Sequence, residues 1–297
     1  MKDKEEYQGL VIKSYCGYFL VHCNEVIYRC RVRGTIDTKE VLVGDYVKFS
    51  MTENDEGIIK GIVSRVSSLK KPPVANINQV ILVFSADEPL LDLAEIDKFL
   101  LIIQQEQVPI VICINKIDLA SPQFEAIKGN LNFYDKMGIP VLYASTAEKK
   151  GIEELSSKLA GHISIFMGPS GVGKTSLLNI IKNDLCLKVS KVSEKIKRGK
   201  HTTRFVELIM IAPDTWVVDS PGFSFYSHKL DPAQLALFYP DFQEYLENCK
   251  FADCFHVQEP RCGIKAAVAE GEIAQFRYAN YCKILQSLVE LERNKYR

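Results

Sequence analysis

The chain lacks a net charge: 37 Lys and Arg offset 37 Asp and Glu over 297 residues. No global field draws it to nucleic acid, so any contact with a polyanion has to be local. It also lacks a long apolar run. Stretches such as residues 109–114 fall far short of the roughly 20 apolar residues a membrane span needs, and no membrane contact is expected. The first ten residues, MKDKEEYQGL, lack the apolar core of a secretory signal. Without an export signal, 9 cysteines, an odd count, read as reduced thiols in a cytoplasmic protein. Internal repeats and low-complexity segments are absent as well. What is present is a 47% hydrophobic, 25% charged composition, that of a soluble protein with a real core, long enough for two or three domains.

Residues 9–13, 17–21, 26–33, 46–50 and 57–66 read as short strands between turns, which suits a small barrel of the oligonucleotide-binding (OB) type. Period-2 alternation in residues 28–33 puts Tyr28, Cys30 and Val32 on one face and Arg29, Arg31 and Arg33 on the other. Such a row suits phosphates as well as solvent. Lys70-Lys71-Pro72-Pro73 reads as a linker. Beyond it, strands (79–85, 110–114, 141–144, 162–167) alternate with helices (91–105, 152–159), the pattern of a mostly parallel sheet with helices on both faces. Residues 205–211 and 215–218 read as a hairpin. After residue 230 the chain turns helical and ends in a long helix over about 272–295.

Two motifs stand in an unusual order. Gly168-Pro169-Ser170-Gly171-Val172-Gly173-Lys174-Thr175 fits G-x-x-x-x-G-K-[ST], follows an expected strand and opens an expected helix. Its glycines let backbone N–H groups curl round phosphates at a helix N-terminus. Lys174 would meet the β- and γ-phosphates and Thr175, followed by Ser176, would hold Mg²⁺. Asn115-Lys116-Ile117-Asp118 lies upstream rather than downstream. The Asp118 carboxylate can accept from both guanine N1–H and N2–H₂, a pattern adenine cannot match. The next strand runs into Ser145-Thr146, the place of a second guanine-contacting loop. A GTP/GDP site with these parts requires a circularly permuted domain.

The switches then follow the phosphate loop. Asp219-Ser220-Pro221-Gly222 matches D-x-x-G, with Asp219 reaching Mg²⁺ and the Gly222 N–H sensing the γ-phosphate. Lys200-His201-Thr202-Thr203-Arg204 suits the first switch, and Thr202 and Thr203 are both candidates for the Mg²⁺ shell. Phe223 follows Gly222 where many GTPases carry the glutamine that orients water. Either His201 or a bound partner takes that role, beside Lys174 as the charge-neutralising catalytic group, and intrinsic hydrolysis should be slow. Residues 188–204 hold 7 Lys or Arg against Glu194 alone, so Lys195, Lys197 and Arg198 are candidate RNA contacts alongside the barrel arginines.

Cys249, Cys254, His256 and Cys262 form C-x4-C-x-H-x5-C. Three thiolates and an imidazole fill all four positions of a tetrahedral structural zinc, one per chain. Cys16, Cys23, Cys30, Cys113, Cys186 and Cys282 have no such company and read as core residues.

Taken in order, the barrel, NKID, GPSGVGKT, GKHTTR, DSPGF and CKFADCFHVQEPRCGIKAAV resemble the circularly permuted, ribosome-small-subunit-dependent GTPases over nearly the whole chain. The resemblance implies a multidomain α/β protein: an OB-type barrel (residues 1–70), a permuted P-loop GTPase domain (71–229) and a helical zinc domain (230–297). It implies a monomeric GTP hydrolase of late small-subunit (30S) assembly, stimulated by the subunit and in contact with its rRNA. Two other readings stay open: a P-loop kinase or ATPase, disfavoured by Asp118, and an RNA-binding module with a nucleotide-locked, hydrolytically weak G-domain.

Overall fold

The structure, a computed structural model, describes residues 5–34, 36–53, 55–70, 72–188, 206–219 and 231–295. Five strands make the N-terminal barrel: β1 (Glu6–Tyr15), β2 (Tyr18–Cys23), β3 (Val26–Val32), β4 (Tyr46–Met51) and β5 (Gly57–Ile62). β1 pairs with both β2 and β4, and β5 pairs with β3 and β4, so the sheet closes on itself. The hairpins β1–β2 and β2–β3 turn at Cys16-Gly17 and Asn24-Glu25, all four with positive φ. That geometry matches the right-handed twist of the flanking strands. Val11, Phe19, Val21, Cys30, Val47, Phe49 and Ile59 fill the interior. Cys23, Cys30 and Cys113 are buried as expected, but Cys16 is not a core residue: the tight turn pushes it into solvent.

Residues 68–75 are not a bare linker. β6 (Ser68–Lys70) and β7 (Pro73–Ala75) form a small antiparallel hairpin with Leu69 opposite a buried Val74. Of the residues that suggested a linker, Lys70 ends β6 and Pro73 opens β7. The barrel is clamped here by Asp45, fully buried, which accepts from Arg65 Nε at 2.7 Å and Nη2 at 2.8 Å and from the Leu42 N–H at 2.7 Å. Asn76 adds a bond to the Gly44 carbonyl at 2.8 Å.

The second sheet uses β8 (Gln79–Ser85), β9 (Ile110–Asn115), β10 (Val141–Tyr143), β11 (Ile163–Met167), β12 (Glu207–Ala212) and β13 (Thr215–Asp219). Their spatial order is β10-β9-β8-β11-β13-β12, all parallel except β12. All seven residues of β8 and all six of β9 are buried, which suits strands covered on both faces. Each such Val, Ile or Leu contributes about 1.5–3 kcal/mol by leaving water. The sheet runs on into the barrel, because β12 pairs antiparallel with β1 at Lys13 and Glu207, whose side chains bond at 2.7 Å.

Four helices belong to this chain order. α1 (Leu93–Ile103) follows β8, α2 (Pro122–Lys136) follows β9, α3 (Ile152–Leu159) follows β10 and α4 (Lys174–Lys188) follows β11. α2 escapes a periodicity reading because it buries only Phe124, Leu131 and Tyr134. Its Ser121 cap and Pro122 at the first turn are the signals that mark it.

The chain forms two compact units: Met1–Leu90 with Glu106–Phe223, and Leu91–Gln105 with Ser224–Arg297. Residues 91–105 therefore group with the C-terminal region, not with the strands they connect. The second unit adds α5 (Gln243–Leu246), α6 (Gly263–Glu270) and α7 (Gln275–Lys295). Its core combines Leu101 of α1 with Leu235, Tyr239, Phe242, Ile264, Tyr281 and Ile284. Asp97 of α1, wholly buried, bonds Arg277 of α7 and accepts from Asn280 Nδ2 at 2.7 Å. Arg277 also grips Asp241 through Nη2 at 2.8 Å and Nε at 3.2 Å, with its guanidinium over the Tyr239 ring.

Candidate nucleotide site and metal centre

In an open α/β sheet, ligands bind beyond the carboxyl ends of the strands where connections reverse direction. Here the reversal lies between β8 and β11: β8, β9 and β10 run outward in order, then the chain returns to β11 on the other side of β8. The phosphate loop leaves β11, Asn115 ends β9 and Ser145 follows β10. Parallel strands thus bring the three sequence motifs to one edge, although 57 residues separate Asn115 from Val172, which its side chain bonds.

The loop is shaped by its glycines. Gly168, Gly171 and Gly173 have φ of 138°, 82° and 92°. A Cβ on Gly168 would lie 2.0 Å from the Val83 carbonyl oxygen, and one on Gly173 would lie 2.4 Å from Asn115 Nδ2. Ser170, Thr175 and Ser176 are exposed, while Val172 and Leu177 anchor the loop and α4 in the core. Lys174 Nζ donates to the carbonyls of Gly168 at 2.8 Å and Pro169 at 2.5 Å. Burial pulls its pKa below the usual lysine range, so the ammonium is short of solvation where a phosphate would restore it.

On the base side, Asn115 Nδ2 donates to the Val172 carbonyl at 2.8 Å, fixing one loop to the other. Its Oδ1 is buried and has no hydrogen-bond partner among the described residues. Lys116 adopts φ 58°, and Ile117–Leu119 make one short turn that exposes Asp118. Ser145 Oγ donates to Asp118 Oδ1 at 2.5 Å and accepts from the Glu148 N–H at 3.0 Å. One carboxylate oxygen is thereby held while the other remains available. Thr146 is half-buried beside it. Sequence reasoning missed Glu88, whose carbonyl takes the Lys116 ammonium at 2.6 Å. The two residues lie 28 apart, and no motif marks the pair.

Asp219 ends β13, its side chain outside the described residues. His201, Thr202, Thr203, Gly222, Lys195, Lys197 and Arg198 lie outside them altogether. On the barrel, Arg29 and Arg31 project outward from β3 and both stack on Tyr18, at 3.6 and 4.3 Å from the ring centre. Arg33 is exposed just beyond the strand.

In the second unit, Cys249, Cys254, His256 and Cys262 bring their ligand atoms within 4.8 Å of one another. His256 Nδ1 lies 3.4 Å from both Cys249 Sγ and Cys262 Sγ, and those sulfurs are 4.0 Å apart. A tetrahedron with Zn–S of about 2.3 Å and Zn–N of about 2.0 Å has edges of roughly 3.5–3.8 Å. The group therefore fits a tetrahedral dication. Burial holds His256 towards its neutral, metal-binding form. Burial, reinforced by the neighbouring thiols, pushes Cys254 up to about 12, a cost that a dication would reverse. The loop is braced from outside: Glu259 accepts from the N–H groups of Phe255, Val257 and Gln258, and Tyr278 and Tyr281 donate to the carbonyls of His256 and Phe255.

Family models match the RsgA N-terminal domain over residues 8–59 and the RsgA GTPase over residues 62–229. The chain is 40% identical over 293 residues to the small ribosomal subunit biogenesis GTPase RsgA of Alkaliphilus metalliredigens (strain QYMF), covering 97% of this chain and 99% of the relative. Among solved structures it is similar to YjeQ from Thermotoga maritima, with TM-score 0.80 and 33% identity over 96% of this chain and 99% of that one. It is also similar to YloQ, described as a circularly permuted GTPase, with TM-score 0.76 and 31% identity over 96% of each chain. The rotated motifs, the closed barrel, the Cys/His group and these matches agree, and the chain belongs to the RsgA GTPase family of GTP hydrolases.

Proposed function

We propose that this chain hydrolyses GTP during late maturation of the bacterial small ribosomal subunit, and that the subunit accelerates the reaction. The observation that carries the reading is the convergence of Asp118, Ser145 and Lys174 at one sheet edge, locked by the Asn115–Val172 bond. Asp118 reads the guanine edge with Ser145 holding it, and Ile117 and Thr146 lie in the same two loops. Lys116 lays its stem along the base. The 168–173 backbone and Lys174 take the phosphates. Mg²⁺, held by Thr175 with Asp219 and a threonine at 202 or 203, would supply charge neutralisation at the transferring phosphoryl group. With phenylalanine at 223, water is positioned by His201 or by the bound subunit, so unstimulated turnover is slow.

Support for the partner comes from the relatives' printed function, from the exposed barrel cations Arg29, Arg31 and Arg33, and from the basic composition of residues 188–204. Arg29, Arg31 and Arg33 on the barrel and Lys195, Lys197 and Arg198 before the first switch are the proposed rRNA contacts. The Cys/His group holds one structural zinc, all four positions being protein ligands. The protein works as a monomer in the cytoplasm; among the described residues no helix is long and apolar enough to cross a membrane. The test is GTP turnover by purified protein, alone and with isolated small ribosomal subunits. A slow basal rate raised about a hundredfold is expected. Tight GTP binding with no acceleration would remove the subunit as activator.

A further inference from the structure

On the outer face of the barrel one tyrosine gathers two of the three exposed arginines. Phe19 of β2 pairs with Cys30 of β3, and both lie in the core. Tyr18 precedes Phe19, and Arg29 and Arg31 flank Cys30, so strand alternation turns all three outward together. Both guanidinium carbons lie over the Tyr18 ring, at 3.6 and 4.3 Å from its centre, inside the roughly 6 Å reach of a cation–π contact. The ring thus keeps two like charges within the sum of those distances of each other.

Little opposes those charges. Lys13, which shares a cross-strand row with Leu20 and Arg29, is taken by Glu207 at 2.7 Å. Arg31 has Glu56, but at 3.8 Å and with the two side chains 57% and 37% exposed, so solvent screens the pair. Arg29 is in no ion pair among the described residues. In a chain of zero net charge this is a local positive excess, complementary to a polyanion. Free arginines would have to be ordered against their own repulsion when such a ligand arrives, at a cost in affinity. Here the ordering is done beforehand.

We infer that Tyr18 is a positioning residue for RNA: its ring presents Arg29 and Arg31 as a ready-made grip for phosphates of one RNA chain, and this face binds the backbone without reading bases. This role for Tyr18 rests on the rRNA contacts proposed above and says how the barrel makes them. Aromatic side chains of barrels that bind single strands commonly stack on bases. A ring that already carries two guanidiniums is a platform for cations instead. Affinity on this face then comes from phosphate neutralisation and counterion release, not from base identity.

The test is binding of the full chain to short fluorescein-labelled single-stranded RNA, followed by anisotropy over a range of salt concentrations. Tyr18→Leu should weaken binding about 5- to 30-fold, the cost of ordering two side chains at the moment of contact. The slope of log Kd against log salt should stay as in the wild type, because no charge is lost. Tyr18→Phe, which keeps the ring, should bind within about twofold of the wild type. Arg29→Gln should instead lower the slope by about 0.7, the share of one single-strand phosphate. Oligo(A) and oligo(U) should bind the wild type alike. A Tyr18→Leu chain that binds as tightly as the wild type overturns the role of Tyr18, and so does a change of slope as large as that of Arg29→Gln. A preference for one homopolymer that Tyr18→Leu erases would make the ring a base-stacking group and overturn it too. Should Tyr18→Leu lower the melting temperature, Tyr18→Thr, a strand-favouring replacement, carries the same comparison. If Arg29→Gln combined with Arg31→Gln leaves RNA binding untouched, the barrel arginines are not RNA contacts, and the reading beneath the role of Tyr18 is what fails.

Discussion

Gly173→Ala is the substitution whose cost the geometry defines best. Gly173 has φ 92°, and an L-residue there pays about 1–2 kcal/mol for the left-handed backbone. The new Cβ would also stand 2.4 Å from Asn115 Nδ2, the atom that donates to the Val172 carbonyl at 2.8 Å. Asn115 is completely buried, so displacing it strands an amide and a carbonyl at about 1–3 kcal/mol. The sum, about 2–5 kcal/mol, weakens nucleotide binding by roughly 30-fold to several thousandfold. Gly171→Ala is the matched control. It has a similar φ of 82°, but among the described residues its Cβ meets only Pro89 Cδ, at an ordinary 3.9 Å. It should lose about 5- to 30-fold from the backbone cost alone. Titration with a fluorescent guanine nucleotide, with melting curves for both variants, reads the two costs. Equal losses at 171 and 173, or a loss under threefold at 173, would refute the claim that Asn115 braces the phosphate loop.

Four further outcomes follow from the same site and core. Asp118→Asn should exchange guanine for xanthine preference, since an amide donor suits the extra xanthine carbonyl; competition between GTP and XTP measures it. Arg277→Met leaves Asp97 buried without its cation and should cost about 3–5 kcal/mol, read by urea unfolding of the second unit. Cys249→Ser should drop metal content below the one zinc per chain expected of the wild type by elemental analysis, and a strong chelator should melt residues 231–295 before the rest. At Glu259, burial pushes the carboxyl up but the backbone N–H bonds outweigh it, so its pKa is lowered in the folded chain. That stabilisation is full above the ordinary glutamate pKa and disappears as pH falls through the folded value. Acid titration of melting should therefore be shallower in Glu259→Gln.

The nucleotide motifs were legible because each is a contiguous loop at a strand end, and strand burial is written in runs such as QVILVFS and IVICIN. The metal group was legible for the same reason, with four ligands inside one short segment. What the chain concealed were pairings across long separations. Asp97 and Arg277 lie 180 residues apart, and nothing local marks an aspartate on an otherwise apolar helix face as a buried ion partner. The grouping of residues 91–105 with the C-terminal region was hidden with them. α2 was missed because it carries few core contacts, and the hairpin at 68–75 because Lys70 and Pro73 at paired strand ends look like Lys and Pro in a linker.

The position of β11 between β8 and β13 has a consequence for synthesis. As the polypeptide emerges from its own ribosome, β8, β9 and β10 are complete before β11, which begins 20 residues after β10 ends (143 to 163), and well before β13. During that interval β8 has its partner β9 on one side only, and seven residues destined for full burial form an open edge. Such an edge is a template for wrong pairing. In the unpermuted order the central strand is made first and each later strand has somewhere to dock. Here the base-reading half must wait, unpaired at its most apolar strand, until the phosphate loop is made.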